Sequence, residues 1–398
     1  MTKTEKINAA IESGAAEARE LVKYLYDHPE IATKEQLSSA AIVDVLRRNG
    51  FEVTYPFMAK ELGYDTSFCA VLANGSGPKV AVLVEYDALP GLGHGCGHNL
   101  HGSLATLAAT SIMKLREEFH GTLMVLGAAA EEEDGAKLVM AEAGIFDDVD
   151  LAIMMHSNGG STTPEMDTLS LRAYKVEFHG LSAHAAAGPW FGHNAFTAAR
   201  KFLDLVDARR DSFRPGTIYS SVMLQGGYTP NQVPDYASLR LEFRSTSLSG
   251  LTELDRITRN CARGASLAMD CTEEFTLLSK DFYNMVRVPA LEDKVTELFR
   301  ARGERVDPVV PAYASSDMGN VSYHCPAIQP MLRITDEHCA LHTETLREAT
   351  LEPLAFEQMK KGAAVIVEMA LLIFNDAEFR AQVRADYEAA LEKVNRKL

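Results

Sequence analysis

The chain has 398 residues, of which 46% are hydrophobic and 24% charged, and its formal net charge is −16. A chain of this length is too long for a single hydrophobic core, so we expect two domains. The composition is that of a soluble globular protein. Nucleic acids and anionic membranes require basic surfaces, so the negative charge argues against both as partners. No secretion-type apolar segment follows the first residues and no run of about 18 apolar residues occurs, so we expect a cytoplasmic protein.

The first 168 residues predict an α/β arrangement. Two helices are expected within the first 50 residues, the second over about residues 35–48. Three apolar, non-alternating runs follow, KVAVLVEYD, GTLMVLGAAAEEE and DLAIMMHS, and they predict buried strands of a parallel sheet. Helical segments at about residues 98–118 and 136–143 separate these strands and give a β-α-β-α-β order.

Each of the three predicted strands ends in polar side chains. Glu85 and Asp87 end the first, residues 131–133 (all glutamate) end the second, and His156 ends the third. Parallel strands bring their carboxyl ends to one edge of a sheet, where open α/β sheets bind ligands. We therefore expect these separate clusters to converge in space.

The loop after the first strand, GLGHGCGHNL, adds ligands that divalent metals prefer. Cys96 and His98 lie in it, and His342 follows late in the chain within EHCALHTET. Thiolate and imidazole groups bind divalent ions well, and carboxylates bind or bridge them. The other cysteines are widely spaced and do not form a disulfide pattern, so we expect them to be buried core residues. The sequence thus predicts a metal site at this edge of the sheet.

Residues 169–284 predict a second, smaller domain. Alternating strands and amphipathic helices follow one another in β-α-β-β-α-β order, which is the ferredoxin-like arrangement. After residue 285 the α/β texture returns, with PAIQPMLRI as a further strand and a helical tail from about residue 351. We therefore expect a large α/β domain, residues 1–168 and 285–398, with a mixed, mostly parallel sheet flanked by helices, into which a ferredoxin-like α+β domain is inserted.

Several long motifs occur together along the whole chain. They are EYDALPGLGHGCGHNLHG, AEEEDG, MMHS, GLSAHAAAGPWFGHNA, PNQVPDYASLRLEFRS, SSDMGNVSY and LHTET. With these motifs the chain resembles the amidohydrolase branch of the aminoacylase-type di-metal peptidases, which includes hippurate hydrolase, indole-acetyl-amino-acid hydrolase and p-aminobenzoyl-glutamate hydrolase. In that family the inserted domain acts as a lid and dimerisation surface, so the resemblance implies a homodimer.

The resemblance implies a role for each matching residue. The ligands of two divalent ions would be Cys96, shared between the ions, and His98, Glu132, His156 and His342. Zinc and manganese both suit this ligand set, and cobalt is a further candidate. Glu131 would be the general base, and Asp87 would orient a ligand. A shift of one residue along the acidic run would move base and ligand to Glu132 and Glu133, and this alternative stays open.

Two implied roles fall on the inserted domain. His184 would reach the site of a neighbouring subunit and stabilise the oxyanion that forms when water attacks an amide carbonyl. Asn231 would hold the substrate on the lid side. The expected substrates are N-acyl amino acids or small dipeptides. Asn99, where many relatives have aspartate, favours the p-aminobenzoyl-glutamate and dipeptide hydrolases. The alternatives are a narrow dipeptidase and a non-catalytic subunit that acts through a partner.

Overall fold

The computed structural model describes residues 1–133 and 135–395 and divides the chain into two compact units. Unit 1 comprises Met1–Asp167, Met285–Ala312 and Ser316–Lys393. Unit 2 comprises Thr168–Asn284 and Tyr313–Ser315. Within the described residues, no helix combines the length and apolarity needed to cross a membrane.

The strands of both units are numbered in chain order. They are β1 (Glu52–Thr54), β2 (Phe68–Asn74), β3 (Lys79–Val84), β4 (Gly121–Gly127), β5 (Leu151–Ile153), β6 (His156–Gly159), β7 (Ser170–His179), β8 (Ile218–Gln225), β9 (Tyr236–Ser245), β10 (Thr272–Leu277), β11 (Ala327–Ile328) and β12 (Met331–Thr335).

The α-helices are numbered in the same way. They are α1 (Lys3–Asp27), α2 (Gln36–Arg48), α3 (Ala59–Leu62), α4 (His98–Lys114), α5 (Ala136–Glu142), α6 (Ala195–Asp207), α7 (Leu248–Ala268), α8 (Pro289–Ala301), α9 (Met318–Val321), α10 (Glu344–Ala349), α11 (Pro353–Asn375) and α12 (Ala377–Asn395).

The main sheet of unit 1 has the strand order β1-β2-β4-β3-β5-β11. β3 pairs in parallel with β4 and β5, and β5 pairs in parallel with β11, whereas β1 and β2 are antiparallel additions at one edge. All of β5 and nearly all of β3 are buried, which explains why their sequences are apolar without alternation. The predicted mixed, mostly parallel sheet is confirmed.

Helix α4 is the central helix of unit 1 and packs against α1, α11 and β3. Nearly every residue of α4 is buried, including several with hydroxyl groups. Ser103 and Thr106 donate to the carbonyl oxygens four residues earlier at 2.7 and 2.9 Å, so their hydroxyl groups are satisfied inside the core. The helix that begins at His98 is therefore held on several sides.

Unit 2 has an antiparallel sheet of order β10-β7-β9-β8, and α6 and α7 pack against it. Its elements follow in β-α-β-β-α-β order, which confirms the predicted ferredoxin-like arrangement. Phe178 and Phe243 on the sheet and Phe202 and Ile257 on the helices belong to one buried cluster. Among the described strands, β8 pairs only with β9 and forms one edge of this sheet.

Two sequence predictions about strands were wrong in detail. The run DLAIMMHS is not a single strand, because β5 ends at Ile153 and His156 begins β6. PAIQPMLRI likewise divides into β11 and β12, and β12 pairs in parallel with β6 in a separate two-stranded sheet. Both interruptions occur at buried residues, so hydrophobicity alone does not reveal them.

One buried ion-pair network connects three elements of unit 1. Lys137 on α5 is fully buried, and its Nζ lies 2.6 Å from Glu85 Oε1, just after β3, and 2.6 Å from Asp317 Oδ1, at the start of α9. Burial alone would lower the pKa of Lys137, but these carboxylates raise it above its usual value. The ammonium group therefore stays charged inside the core.

We predict that Lys137→Met lowers the free energy of unfolding by about 3–5 kcal/mol, because it leaves two buried carboxylates without their cation. Urea unfolding followed by circular dichroism measures the change. Lys201→Met is the control, since Lys201 pairs with Asp204 on the surface, where such pairs contribute at most about 1 kcal/mol. Equal effects of the two substitutions would contradict the structural importance of the buried network.

Candidate metal centre

The carboxyl ends of β3 and β4 carry the polar side chains that the sequence placed there. Strand β3 ends at Val84, one residue before Glu85, and β4 ends at Gly127, shortly before Glu131 and Glu132. Three groups of potential ligands come together in this region, each with its donor atoms within 4.8 Å of one another. They are Glu85, His98, His101 and His156; Cys96, His98 and Glu132; and Glu85, Glu131 and Asp317. The polar residues that follow the strands therefore come together, as predicted.

His98, the first residue of α4, lies at the middle of this region and is fully buried. Its Nδ1 is 2.9 Å from Asp87 Oδ1, so Nδ1 carries a proton. Burial alone would lower the pKa of the ring, but the charges of Cys96 and Asp87 raise it well above its usual value, and a bound metal ion would replace the proton at Nε2. That Nε2 is 3.8 Å from Glu132 Oε1 and 3.9 Å from Glu131 Oε2. Asp87 thus fixes the ring in the form that a metal ligand needs.

Cys96 and His156 face each other across the same region. Cys96 Sγ is 3.5 Å from His156 Nε2, and both side chains are buried. His156 Nδ1 donates to the carbonyl oxygen of Ser157 at 2.7 Å, so the nitrogen that faces the thiol is the unprotonated one. Burial raises the pKa of the Cys96 thiol well above its usual value in the metal-free chain.

The adjacent glutamates lie in contrasting electrostatic surroundings. Burial, together with the charges of Glu85 and Asp317, raises the pKa of Glu131 well above its usual range. Burial alone would also raise the pKa of Glu132, but its contacts with His342 and His98 lower it to about 2. Glu133 is exposed and belongs to none of the ligand groups found among the described residues. This contrast favours Glu131 and Glu132, rather than Glu132 and Glu133, as the functional pair.

His342 approaches the centre from a different part of unit 1. Its Nε2 is 3.3 Å from Glu132 Oε1, and its backbone N–H donates to the carbonyl oxygen of Gly95 at 2.9 Å. The residue has a φ of 63°, in the left-handed region, and its side chain is half exposed. The structure therefore brings together all five of the predicted ligands, along with Glu131 and Asp87.

One buried nitrogen at this centre, His98 Nε2, faces the thiol side of the cluster and has no hydrogen-bond partner within the described part of the chain. Glu132 Oε1, beside it, contacts His342 Nε2 at 3.3 Å. Burying a polar atom without a partner is costly, and native proteins seldom leave one unpaired without a reason. Sulfur, imidazole nitrogen and carboxylate oxygen together are a donor set suited to a divalent transition metal. The residues present therefore fit a metal ion.

Glu85, which the sequence placed at the end of the first strand, supports the ligands together with His101 and with Lys137, which sequence analysis did not identify. His101 resembles a ligand, but its Nε2 is 3.0 Å from Glu85 Oε2 and its Nδ1 accepts from the N–H of Ser157, so neither nitrogen is free. Glu85 also forms an ion pair with Lys137. Burial alone would raise the pKa of Glu85, but Lys137 and the nearby histidines hold it well below its usual range. A lysine within the apolar run AKLVM was the one signal available in the sequence.

His184 and Asn231, the two predicted residues of unit 2, lie close together on its surface. The Ala186 and Ala187 backbone N–H groups donate to His184 Nδ1 at 3.2 and 3.1 Å, so the proton of the neutral ring lies on Nε2. Asn231 Oδ1 accepts from the Thr229 hydroxyl at 2.6 Å. Its carbonyl oxygen accepts from the N–H of Ala185 at 2.9 Å. Both residues therefore offer exposed N–H donors on unit 2.

The chain is similar to several curated proteins over most of its length. It is 30% identical to a mouse (Mus musculus) Xaa-Arg dipeptidase, covering 98% of this chain and 92% of the relative. It is 31% identical to the human (Homo sapiens) Xaa-Arg dipeptidase, covering 78% and 73%. It is 29% identical to one of the p-aminobenzoyl-glutamate hydrolase subunits of Escherichia coli (strain K12), covering 67% and 59%.

Solved structures have the same fold. An aminobenzoyl-glutamate utilization protein from Klebsiella pneumoniae superimposes with a TM-score of 0.71 at 20% identity, over 92% of this chain and 97% of that one. A dinuclear metal-binding peptidase from Bacillus subtilis gives a TM-score of 0.68 at 18% identity, over 90% and 99%. The predicted fold class is confirmed.

A sequence model of one family covers most of the chain, matching residues 81–371. The matched region includes every residue of the candidate metal centre and both donors on unit 2. Together with the relatives above, this match confirms the resemblance and the prediction that the chain is a hydrolase. The chain belongs to peptidase family M20/M25/M40.

Proposed function

We propose that this protein is a metal-dependent amidohydrolase that cleaves the amide bond of N-acyl amino acids or small dipeptides. The observation that carries the proposal is the bare, buried Nε2 of His98, which lies among Cys96 and Glu132 with Glu131 beside it. An unpaired nitrogen in a cluster of sulfur, nitrogen and oxygen donors has a use once a cation binds there. Glu131, the neighbouring carboxyl group, has no other ligand role in the proposal and is free to transfer protons.

Two divalent ions would be held by the five predicted ligands. Cys96 would be shared between the ions, with His98, Glu132, His156 and His342 as the remaining ligands. When bound, the ions would supply Lewis-acid activation of water and of the amide carbonyl. The thiol and imidazole donors favour zinc, and the carboxylate also suits manganese or cobalt.

The side chains divide the remaining chemistry among them. Glu131 accepts a proton from the attacking water and returns it to the leaving amine, which breaks the C–N bond without releasing an amide anion. Asp87 accepts the Nδ1 proton of His98 and so directs Nε2 toward the metal site. His184, whose Nε2 carries the proton, donates a hydrogen bond to the carbonyl oxygen as negative charge develops there. Asn231 offers N–H donors to the substrate beside His184.

The names of the relatives support the substrate class. Two are Xaa-Arg dipeptidases and one is part of a p-aminobenzoyl-glutamate hydrolase, and all of these names describe hydrolysis next to an amino acid. Asn99, which follows His98, favours the same group, the p-aminobenzoyl-glutamate and dipeptide hydrolases. We propose dipeptides and N-acyl amino acids as the first substrates to test, with dipeptides ending in arginine among them. A cytoplasmic location remains a prediction of the sequence.

We predict that Glu131→Gln lowers kcat/KM at least about a hundredfold, because the amide side chain cannot accept the proton from water. A panel of N-acyl amino acids and dipeptides, assayed with metal-stripped, zinc-loaded and manganese-loaded protein, measures the change. Metal content measured by inductively coupled plasma spectrometry should be equal in the variant and the parent, since Glu131 is not a proposed ligand.

Glu133→Gln is the matched control, because it makes the same chemical change at the exposed neighbour of the pair. We expect its kcat/KM to stay within about twofold of the parent value. Loss of activity in Glu133→Gln with little change in Glu131→Gln would show that base and ligand are shifted by one residue. A parent protein that binds no metal would overturn the proposed function itself.

We also propose that the protein is a homodimer, joined through unit 2. Strand β8 is an edge strand with exposed apolar side chains, among them Val222 and Leu224, which are 57% and 50% exposed. Unpaired backbone groups and apolar side chains on an edge strand favour pairing with a second strand. Pairing of two β8 strands across a twofold axis would supply partners for the backbone groups and bury the apolar side chains. The resemblance further implies that His184 acts in the neighbouring subunit's site.

We predict that mixing Glu131→Gln protein with His184→Ala protein restores activity, although each variant alone is inactive. In the mixed dimer, one site contains both substitutions, while the other combines a native Glu131 with a native His184 from the other chain. Refolding or subunit exchange at equal concentrations, followed by an activity assay and light-scattering mass measurement, tests this. No recovery in a mixture of proven dimers would place His184 in its own subunit's site instead.

A further inference from the structure

Glu35 is a buried carboxyl group with no part in the proposed chemistry. It directly precedes α2 and has no exposed surface. Its Oε1 accepts from the backbone N–H of Ala130 at 2.8 Å, and its Oε2 accepts from the Thr66 hydroxyl at 2.8 Å. The side chain therefore connects the start of α2 to the loop that follows β4.

The backbone of Ala130 has an unfavourable conformation. Its φ is 60°, in the left-handed region, which alanine occupies about tenfold less readily than the right-handed region. The conformation lets its carbonyl oxygen accept from the N–H groups of Glu133, at 3.2 Å, and Gly135, at 2.7 Å, which closes the turn. A residue in such a conformation stays there only when its surroundings hold it.

A second buried carboxylate holds the same loop two residues later. Asp87 Oδ2 accepts from the N–H of Glu132 at 3.0 Å, while Asp87 Oδ1 is bound to His98. Glu131 therefore lies between two backbone N–H groups, at residues 130 and 132, and each is held by a different buried carboxyl group. The direction in which the two glutamate side chains leave the backbone depends on both anchors.

We propose that Glu35 is a positioning residue that holds Ala130 in its left-handed conformation and thereby aims Glu131 and Glu132 at the metal centre. The inference rests on the proposed function, because the roles of the two glutamates are those proposed above. Glu35 acts through the loop backbone, and its own carboxyl group binds Ala130 and Thr66.

Both hydrogen bonds of Glu35 survive its protonation. Burial and the charge of Asp87 raise the pKa of Glu35 to about 7. The protonated form still accepts from Ala130 through one oxygen and donates to the Thr66 hydroxyl through the other, because a hydroxyl group both donates and accepts. A glutamine has the same pattern of one acceptor and one donor, so Glu35→Gln should preserve the positioning.

The test compares metal affinity in variants that separate positioning from stability. Glu35→Ala removes both hydrogen bonds, whereas Thr66→Val removes only the one that does not reach the loop. Affinity for Zn²⁺ and Mn²⁺ is measured by competition with a chromogenic chelator, and thermal unfolding is measured alongside. We expect Glu35→Ala to weaken metal binding and lower kcat about tenfold, and Thr66→Val to lower the unfolding temperature with metal affinity unchanged. Glu35→Gln should behave as the parent protein does.

A rescue variant tests the backbone mechanism directly. Glycine enters the left-handed region without the penalty that alanine has, so Ala130→Gly should restore part of the metal affinity lost in Glu35→Ala. Glu35→Asp, which keeps the charge but shortens the reach, gives the same comparison if Glu35→Ala yields no folded protein. Equal metal affinity in Glu35→Ala and Thr66→Val, or no rescue by Ala130→Gly, would overturn the inference. A parent protein that binds metal without hydrolysing the panel would overturn the proposed function and leave this comparison intact.

Discussion

Lys137 lies between Glu85 and Asp317 with no exposed surface, and its ammonium nitrogen is 2.6 Å from an oxygen of each. Burying any of these groups alone would cost several kcal/mol, so each depends on the others. Because one fixed cation compensates two carboxylates at the end of the sheet, Glu131 and Glu132 can lie beside them. Burial alone would raise the pKa of Glu132, but His342 and His98 hold it at about 2, so this side chain remains a carboxylate next to the thiol and imidazole donors. The buried lysine thus makes a cation site possible nearby.

The hydrogen bonds around the centre determine which nitrogen of each histidine ring is occupied within the protein. His98 is bound through Nδ1 to Asp87, and His156 is bound through Nδ1 to the Ser157 carbonyl oxygen. Both Nε2 atoms face the same space and are left for a metal ion. His184 has the opposite arrangement, because two backbone N–H groups occupy its Nδ1 and leave a donor at Nε2. These hydrogen bonds form within each unit and orient the rings before any ion or substrate arrives.

The sequence predicted the architecture and the convergence of the strand ends because both have strong local signals, whereas the full ligand set, His342 included, was implied by the family resemblance. Apolar runs without alternation predicted the strands of unit 1, and the polar residues at their ends predicted the convergence of Glu85, Glu131 and their neighbours. The supporting residues lack such signals, because Lys137 and Glu35 gain their importance from partners far away in the chain. The start of β6 at His156 depends on pairing with β12, which the local sequence does not encode.

Helix α4 and strand β3 approach each other so closely at Gly102 that a side chain there would collide with the carbonyl oxygen of Glu85. The same helix carries His98 and His101, so its distance from the strand also sets the spacing of the donor atoms. Any residue larger than glycine at position 102 would therefore push the helix away from the strand, and the imidazole rings of His98 and His101 would move with it. The geometry of the donor set is thus determined by a backbone contact that includes none of the ligands.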